Sequence, residues 1–189
     1  MGLTLITAPT AEPVSLAEAK LHCKVDGADD DALITALIIA ARRMAEQQTG
    51  RALVTQTWKL TFAAFPAAAI ALPLPPLQSV ASIKYYDAVG VLQTLDASAY
   101  TVHASGLVGL VVAAYGTSWP AARATLDAVE ITFTAGFGNA AAVPQEIKQW
   151  MLLQIGTWYA SRESAGAGNA ASEVPFVGAL LDPYRILRF

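Results

Sequence analysis

Two histidines and one cysteine are the residues of this sequence best suited to nucleophilic or metal chemistry. His22 and Cys23 are adjacent in a predicted short helix, and His103 lies in a predicted strand. Nucleophilic catalysis needs a base held beside a serine or cysteine, and neither histidine lies in a motif of that kind. No CxxC or HxxxH spacing completes a tetrahedral metal site. We therefore expect structural roles for all three residues, and neither a metal nor a cofactor.

Three further groups of residues carry part of a ligand-binding signature. The carboxylates at residues 29–31 lack the alternation of an EF-hand loop, and a helix N-terminus explains them. The glycines in residues 136–138 precede a helix but lack the third glycine and the lysine of a phosphate loop, so we expect a turn. Arg42, Arg43 and Arg51 cluster near a helix end, where cations usually complement the helix dipole. We expect no DNA site there.

Composition points to a protein that is partly covered by other protein. The chain has 189 residues, of which 54% are hydrophobic and only 14% charged, against about a quarter charged in an average soluble domain. Its mean hydropathy is +0.43. We therefore expect extensive protein contacts. The net charge of −3 argues against a dedicated nucleic-acid binder.

Nothing in the sequence indicates a membrane or an oxidising compartment. A single cysteine cannot form an internal disulfide. No export or lipid signal is visible at the N-terminus. The longest apolar helical run, residues 32–41, is far shorter than the roughly 18 residues that span a bilayer. We expect synthesis in the cytosol and no membrane contact.

Helix signals occur near both ends of the chain. Ser15 and Glu18 form a capping box, which predicts a helix over residues 16–24. A second helix follows residues 29–31 and ends at Gly50, where a left-handed cap belongs. A third begins near Pro144 and extends to about residue 162. The predicted inward residues at helical spacing are Leu33, Ile34, Leu37, Ile38, Ala41, Met44 and Ala45 in the second helix, and Ile147, Trp150, Met151, Ile155 and Trp158 in the third.

Between the second and third helices the period changes to two, which indicates strands. The predicted strands cover residues 54–62, 70–74, 79–86, 91–95, 100–103, 107–112 and 129–134. Prolines within residues 72–77 exclude that stretch from a central strand. The fold class is therefore α+β. We divide the chain into an N-terminal leader and helix pair (1–50), an antiparallel β module (51–138), a long helix that completes a helical core (139–163), and a flexible linker with a C-terminal docking segment (164–189).

The C-terminal segment interleaves apolar, aromatic and arginine residues after a linker rich in glycine, alanine and serine. Aromatic residues and arginine are enriched where protein interfaces are strongest. The alternative is a segment that folds back on its own domain. Among the four tryptophans, Trp119 falls in a predicted loop and is a candidate contact residue, whereas Trp58, Trp150 and Trp158 fall on predicted core faces.

In the order of its elements, nearly the whole chain resembles the small phage head-tail connector proteins. These neck adaptors are also labelled phage DNA-packaging proteins and occur in phages, prophages and gene transfer agents. The resemblance is carried by PVSLAEAK at residues 13–20 and the helix to residue 51, by TQTW at 55–58, LPLPPLQSV at 72–80 and IKYYD at 83–87, and by TAGFG at 134–138 with the helix of residues 143–163.

This resemblance implies a structural virion protein without catalysis. Such connectors form a ring, commonly of twelve copies, that lies beneath the portal, extends the DNA channel and offers a platform for the next neck or tail protein. DNA would then pass through the channel without sequence-specific contact. The C-terminal segment of such connectors reaches the portal, which assigns portal docking here to Phe176, Val177, Leu180, Leu181, Tyr184, Arg185, Arg188 and Phe189.

Two alternatives to a connector ring remain open at this point. The smallest connectors are nearly all helical, so the role of the long β module is undetermined. The module could bind the tail side or a host receptor through the Trp119 loop, or it could thicken the ring. A small hydrolase that uses His103 or His22 with a nearby serine is the other alternative, and it requires a nucleophile and a base within hydrogen-bond reach.

Overall fold

A computed structural model describes residues 1–161 and 177–186 of the chain. The described residues form two compact units. The first, called here the β unit, comprises Met1–Thr10 and Thr55–Phe137. The second, called here the α unit, comprises Ala11–Val54 and the described residues from Gly138 onward. The predicted α+β class is confirmed, and all strands but the first lie between the second and third α-helices.

Three α-helices build the α unit: α1 (Leu16–Cys23), α2 (Asp31–Thr49) and α3 (Gln145–Ala160). The capping box at the start of α1 is confirmed, because the Glu18 amide donates to Ser15 Oγ at 3.2 Å and the Ser15 amide donates to Glu18 Oε2 at 2.7 Å. Gly50 ends α2 with a φ of 70°, as predicted for a left-handed cap. None of the helices in the described residues is long and apolar enough to span a bilayer.

The buried faces of α2 and α3 are close to those predicted. Ile34, Ile38, Ala41 and Ala45 are buried on α2, and α3 buries Ile147, Trp150, Met151 and Ile155. The stripe on α2 is narrower than expected, since Leu33 and Met44 are each 37% exposed. Trp158 on α3 is only half-buried.

Eight strands form two antiparallel sheets in the β unit. The five-stranded sheet has the order β1-β2-β8-β4-β5, and the three-stranded sheet has the order β3-β7-β6. Seven of the strands match predicted ones, with ends that differ by a few residues. The strands are β1 (Gly2–Thr7), β2 (Gln56–Phe62), β3 (Ile70–Leu72), β4 (Leu77–Tyr86), β5 (Leu92–Thr94), β6 (Tyr100–His103), β7 (Gly109–Ala113) and β8 (Val129–Ala135).

The N-terminal leader is a strand rather than an independent extended segment. β1 pairs antiparallel with β2, with Leu3 opposite Leu60 and Leu5 opposite Trp58. Residues 1–10 therefore lie in the β unit, which differs from the predicted division at residue 50. The local sequence of residues 1–10 does not reveal this pairing, because the partner strand β2 lies more than forty residues later and the two strands meet only when the chain folds.

The two sheets approach each other closely where β7 begins. A methyl group added at Gly109 would lie 2.6 Å from Cβ of Leu77 on β4, so only glycine fits there. Residues 73–76 connect β3 to β4 and belong to neither strand, which agrees with the prolines there. The fully buried side chains of the unit include Leu60, Ile70, Leu72, Ile83, Val111, Ile131 and Phe133.

Candidate interaction surfaces

The C-terminal segment of residues 177–186 packs on the α unit. It forms two short 3-10 turns, Gly178–Leu180 and Asp182–Tyr184, joined at Leu181. The Leu181 side chain is fully buried, and the first turn contacts α3. The part of the tail that the structure describes is therefore a folded element of the α unit.

Three hydrogen bonds hold this segment in place. Arg51 Nε donates to the carbonyl oxygen of Tyr184 at 2.6 Å, and the Ile186 amide donates to the carbonyl oxygen of Thr49 at 2.8 Å. The Tyr184 hydroxyl donates to Glu146 Oε2 at 2.9 Å. Desolvation, with a smaller effect from Glu146, raises the pKa of Tyr184, and desolvation lowers the pKa of Arg51. The segment thus connects the end of α2 with the start of α3.

The predicted docking residues differ in their environments. Leu181 and Tyr184 hold the segment against the α unit, Val177 and Leu180 are half-buried, and Arg185 is exposed with its Nε 3.3 Å from Asp182 Oδ1. Phe176, Arg188 and Phe189 lie outside the described residues. Contact of this set with a portal stays a prediction.

Trp119 lies in the loop between β7 and β8, as predicted. Its indole stacks on Phe65 with ring centroids 4.9 Å apart and planes 6° from parallel. Phe65 also meets the edge of Tyr85 at 5.7 Å. Trp119 is half-buried and borders a pocket of about 380 Å³ whose other walls come from residues 67–69, β7 and the same loop. It is therefore a partly accessible aromatic side chain held in a fixed orientation.

Strand register places three loops at one end of the five-stranded sheet. Phe62 on β2 pairs with Val129 on β8, and Tyr85 on β4 pairs with the same residue, so the loops that follow β2 and β4 and precede β8 share one end. The three points where the chain passes between units lie at the opposite end of the sheet, next to Thr7, Gln56 and Ala135. These three loops contain the exposed apolar residues Val89, Tyr115 and Leu126.

A buried ion pair that sequence reasoning missed connects the start of the α unit to α2. Arg42 donates through Nε to Glu12 at 2.7 Å and through Nη1 to Glu46 Oε2 at 2.8 Å, and its side chain is 8% exposed. The other Glu46 oxygen accepts the Leu53 amide at 3.1 Å. The sequence predicted only that Arg42 complements the helix dipole near the end of α2. The i,i+4 spacing of Arg42 and Glu46 could have predicted their ion pair. The contact with Glu12 could not be predicted in this way, because Glu12 lies 30 residues earlier in the sequence and reaches Arg42 only in the folded chain.

Comparison with known proteins shows which proteins this chain is similar to. Residues 13–88 match the family of phage gp6-like head-tail connector proteins. A solved structure described as the neck of an empty gene transfer agent particle, computed with sixfold symmetry, matches with a TM-score of 0.84 and 27% identity over 100% of this chain and 97% of the other. The neck of the native particle, computed with twelvefold symmetry, matches with a TM-score of 0.80 and 29% identity over the same shares.

The expected resemblance to phage head-tail connector proteins is confirmed. The family match covers the helix pair and the first half of the β unit, and the structural match covers every element of the fold. The expected structural role as a neck adaptor, and the expected location in the neck of a virion or phage-like particle, are confirmed in the same way. A search of curated proteins finds no match.

The connector uses its clustered charges for internal structure. Asp31 pairs with Lys20 at 2.6 Å, and Asp30 accepts a hydrogen bond from the Tyr159 hydroxyl. Arg51 donates a hydrogen bond to the C-terminal segment. Of the three clustered arginines, Arg43 is the exposed one. No group of three or more His, Cys, Asp or Glu side chains in the described residues is arranged to hold a metal ion. The turn predicted at residues 136–138 is present, with Gly136 and Gly138 both at a φ of 125°.

The histidines of the connector lie in different units. His22 is exposed on α1 in the α unit, where it borders Gly156 of α3, and His103 is exposed on β6 in the β unit. Within residues 1–161 and 177–186, neither imidazole is hydrogen-bonded to a serine. Cys23 is half-buried, and burial raises the pKa of its thiol. Raising the thiol pKa lowers the thiolate fraction, which disfavours a nucleophilic role.

Proposed function

We propose that this connector forms a closed ring of identical copies beneath the portal of a tailed phage or gene transfer agent. The ring would have twelve copies, extend the DNA channel and support the next neck or tail protein. The observation that carries the proposal is the match, across the whole chain, to a chain of a particle neck that was computed with sixfold and twelvefold symmetry.

The charge of the chain supports passive passage of DNA. A ring whose members each carry a net charge of −3 has no overall electrostatic attraction for the phosphate backbone. Two of the three clustered arginines, Arg42 and Arg51, are engaged within the α unit. We infer a structural role without catalysis, and DNA as a transient occupant of the channel.

The C-terminal segment is proposed to contact the portal with the side chains that do not anchor it to the α unit. Leu181 and Tyr184 anchor the segment, so the contact falls to Val177, Leu180 and Arg185 together with Phe176, Arg188 and Phe189. Anchoring a docking segment in advance lowers the conformational entropy lost on binding. The α unit would then serve as the base that presents this contact.

Separating docking from folding requires two truncations. Removal of residues 187–189 combined with Arg185→Ala leaves Leu181 and Tyr184 in place, and we expect a normal melting temperature with at least tenfold weaker binding to the portal ring. Removal of residues 175–189 also deletes the buried Leu181, so a lower melting temperature is expected as well. Portal binding by the first variant equal to that of the unchanged chain would contradict the docking assignment.

The loop end of the β unit is proposed to face the next neck protein. Val89, Tyr115 and Leu126 are exposed in these loops. The indole of Trp119, in the loop before β8, is held in place by stacking on Phe65. Trp119→Ala should weaken binding of the downstream protein and leave portal binding unchanged. Leu21→Ala, which truncates an exposed leucine of the α unit, is the matched control.

The mass of the complex with the portal ring tests whether the chain forms a ring. The purified chain is mixed with the portal ring of its particle, and light scattering gives the mass of the complex, with the chain alone as a control. A defined multimer on the portal supports the proposal. A chain that remains monomeric with the portal present contradicts it.

A further inference from the structure

The first strand is an exposed edge of the five-stranded sheet. β1 lies at the end of the strand order, so its outer side has no partner strand among the described residues. Both of its faces are open, and Leu3, Leu5 and Ile6 are between 40 and 52% exposed. Residues 1–11 contain no charged side chain. Soluble proteins usually protect such an edge with charges, proline or a bulge, because it can pair with another strand.

Some protection is present, and it limits the free edge to a short stretch. The register of β1 shifts between Leu5 and Thr7, which marks a bulge, and Pro9 follows. A bulge twists the strand and interrupts regular pairing. Regular strand geometry therefore extends over residues 2–5.

The opposite edge of the same sheet is also open and of similar length. β5 has three residues and lies at the other end of the strand order. Val91 and Leu92 are 53% and 46% exposed, and residues 88–95 contain no charged side chain. The sheet thus has two short, partly apolar edge strands whose own side chains are uncharged, with Asp87 and Arg123 beside the turn before β5.

A ring of identical copies needs two different surfaces that fit each other. Rotation about a ring axis places one patch of each copy against another patch of the next, which is a heterologous contact. Two free edges of one sheet meet this requirement. The five strands alternate in direction, so β1 and β5 run the same way and would meet as a parallel pair.

We propose that β1 of one copy pairs with β5 of the next copy in the connector ring. The proposal rests on the ring of the proposed function and names its subunit contact. Backbone hydrogen bonds over three or four residues would set the register, and the apolar side chains of both edges would be covered. Part of the low charge content of the chain is then explained by this contact.

Cysteine cross-linking tests the contact. In a Cys23→Ser background, one variant carries Leu5→Cys and Leu92→Cys together, and two others carry one change each. All are assembled on the portal ring and treated with a short bismaleimide. A further variant pairs Leu5→Cys with Leu107→Cys, which lies in the exposed turn before β7. The mass of each assembly is measured before treatment.

The proposal expects a ladder of covalent multimers, up to the full ring, only from the Leu5→Cys and Leu92→Cys variant. Dimers from Leu5→Cys alone would show two-fold pairing of β1 with itself and overturn the proposal. A complete ring that gives no ladder, or an equal ladder from the Leu107→Cys variant, would overturn the contact while the proposed function stands. Absence of a multimer on the portal with the unchanged chain would overturn both.

Discussion

The α unit and the β unit use their polar and apolar residues in opposite ways. In the α unit, charged side chains form internal contacts. Arg42 forms ion pairs with Glu12 and Glu46, and Glu146 accepts a hydrogen bond from Tyr184. In the β unit, the only salt bridge in the described residues joins Lys59 and Glu130 at 3.6 Å. Of the fourteen exposed large apolar side chains of the described residues, eleven lie in the β unit and three in the α unit.

This difference indicates which unit's surface is expected to be covered by other protein. A unit that exposes many large apolar side chains tends to associate with other protein more strongly than a unit that buries them. Its surface is therefore suited to forming protein interfaces. The α unit completes its own core and holds the C-terminal segment. The β unit is therefore the part of the connector expected to supply most of the apolar contact area.

The largest expected effect tests whether the C-terminal segment belongs to the α unit. Leu181→Ala removes a fully buried side chain and should lower the free energy of unfolding by about 2–5 kcal/mol. Leu180→Ala, at a half-buried position in the same turn, is the control and should cost less. Chemical denaturation measures both. Equal, small losses would mean that the segment is not part of the folded unit.

Removing the buried Arg42 tests whether the charged side chains of the α unit stabilise its fold. Arg42→Ala leaves Glu12 and Glu46 without their cation and should cost about 2–4 kcal/mol, since both carboxylates are only partly exposed. Arg43→Ala, on the exposed face of the same helix, should change stability by less than about 0.5 kcal/mol. If the two variants melted at the same temperature, the internal role of Arg42 would be refuted.

These two predictions show what sequence could and could not provide. The capping box at Ser15, the left-handed cap at Gly50 and the strand periods are local signals, and they were predicted. The partners of Arg42 and the burial of Leu181 depend on segments far apart in sequence that meet only in the fold. The pairing of β1 is of the same kind. The family was predictable because the order of local signals along the chain was itself distinctive.

The close contact of the two sheets in the β unit offers a test of its core. Gly109→Ala would force Leu77 to move and should cost about 1–3 kcal/mol. Gly178→Ala has no atom within 4 Å of the added methyl group and serves as the control. Differential scanning calorimetry compares the two. An unchanged melting temperature for Gly109→Ala would show that the sheets do not pack this closely.

A smaller effect depends on pH and concerns the Tyr184 contact. Its own backbone amide and then the Tyr184 hydroxyl lower the pKa of Glu146 from 4.5, so the stabilisation is present above that value and is lost as pH falls through the folded pKa. The pKa of Tyr184 is raised from 10.0, so stabilisation is also lost as pH rises through its folded pKa.

Tyr184→Phe should therefore be less stable than the unchanged chain near neutral pH, and the difference should shrink in acid. Urea denaturation at several pH values measures it. The unchanged Glu146 titrates in both proteins, so the comparison isolates the hydroxyl. A difference that stays constant below the ordinary glutamate pKa would show that the hydroxyl does not interact with the ionised carboxylate.

The smallest effect on stability is expected for the exposed apolar residues of the β unit. Tyr115→Ser and Leu126→Ser should each change the free energy of unfolding by less than about 0.5 kcal/mol, because these side chains are almost fully exposed in the isolated chain. The same changes should weaken binding of the downstream neck protein. A large loss of stability would mean that these side chains belong to the fold rather than to an interface.

The central claim is that this connector assembles as a ring on the portal, and electron cryo-microscopy of the chain bound to its portal ring tests it most directly. The account predicts a closed, rotationally symmetric ring coaxial with the portal, in which each copy contacts its neighbours through two different surfaces. Isolated copies bound at separate positions on the portal, with no contact between them, would contradict it.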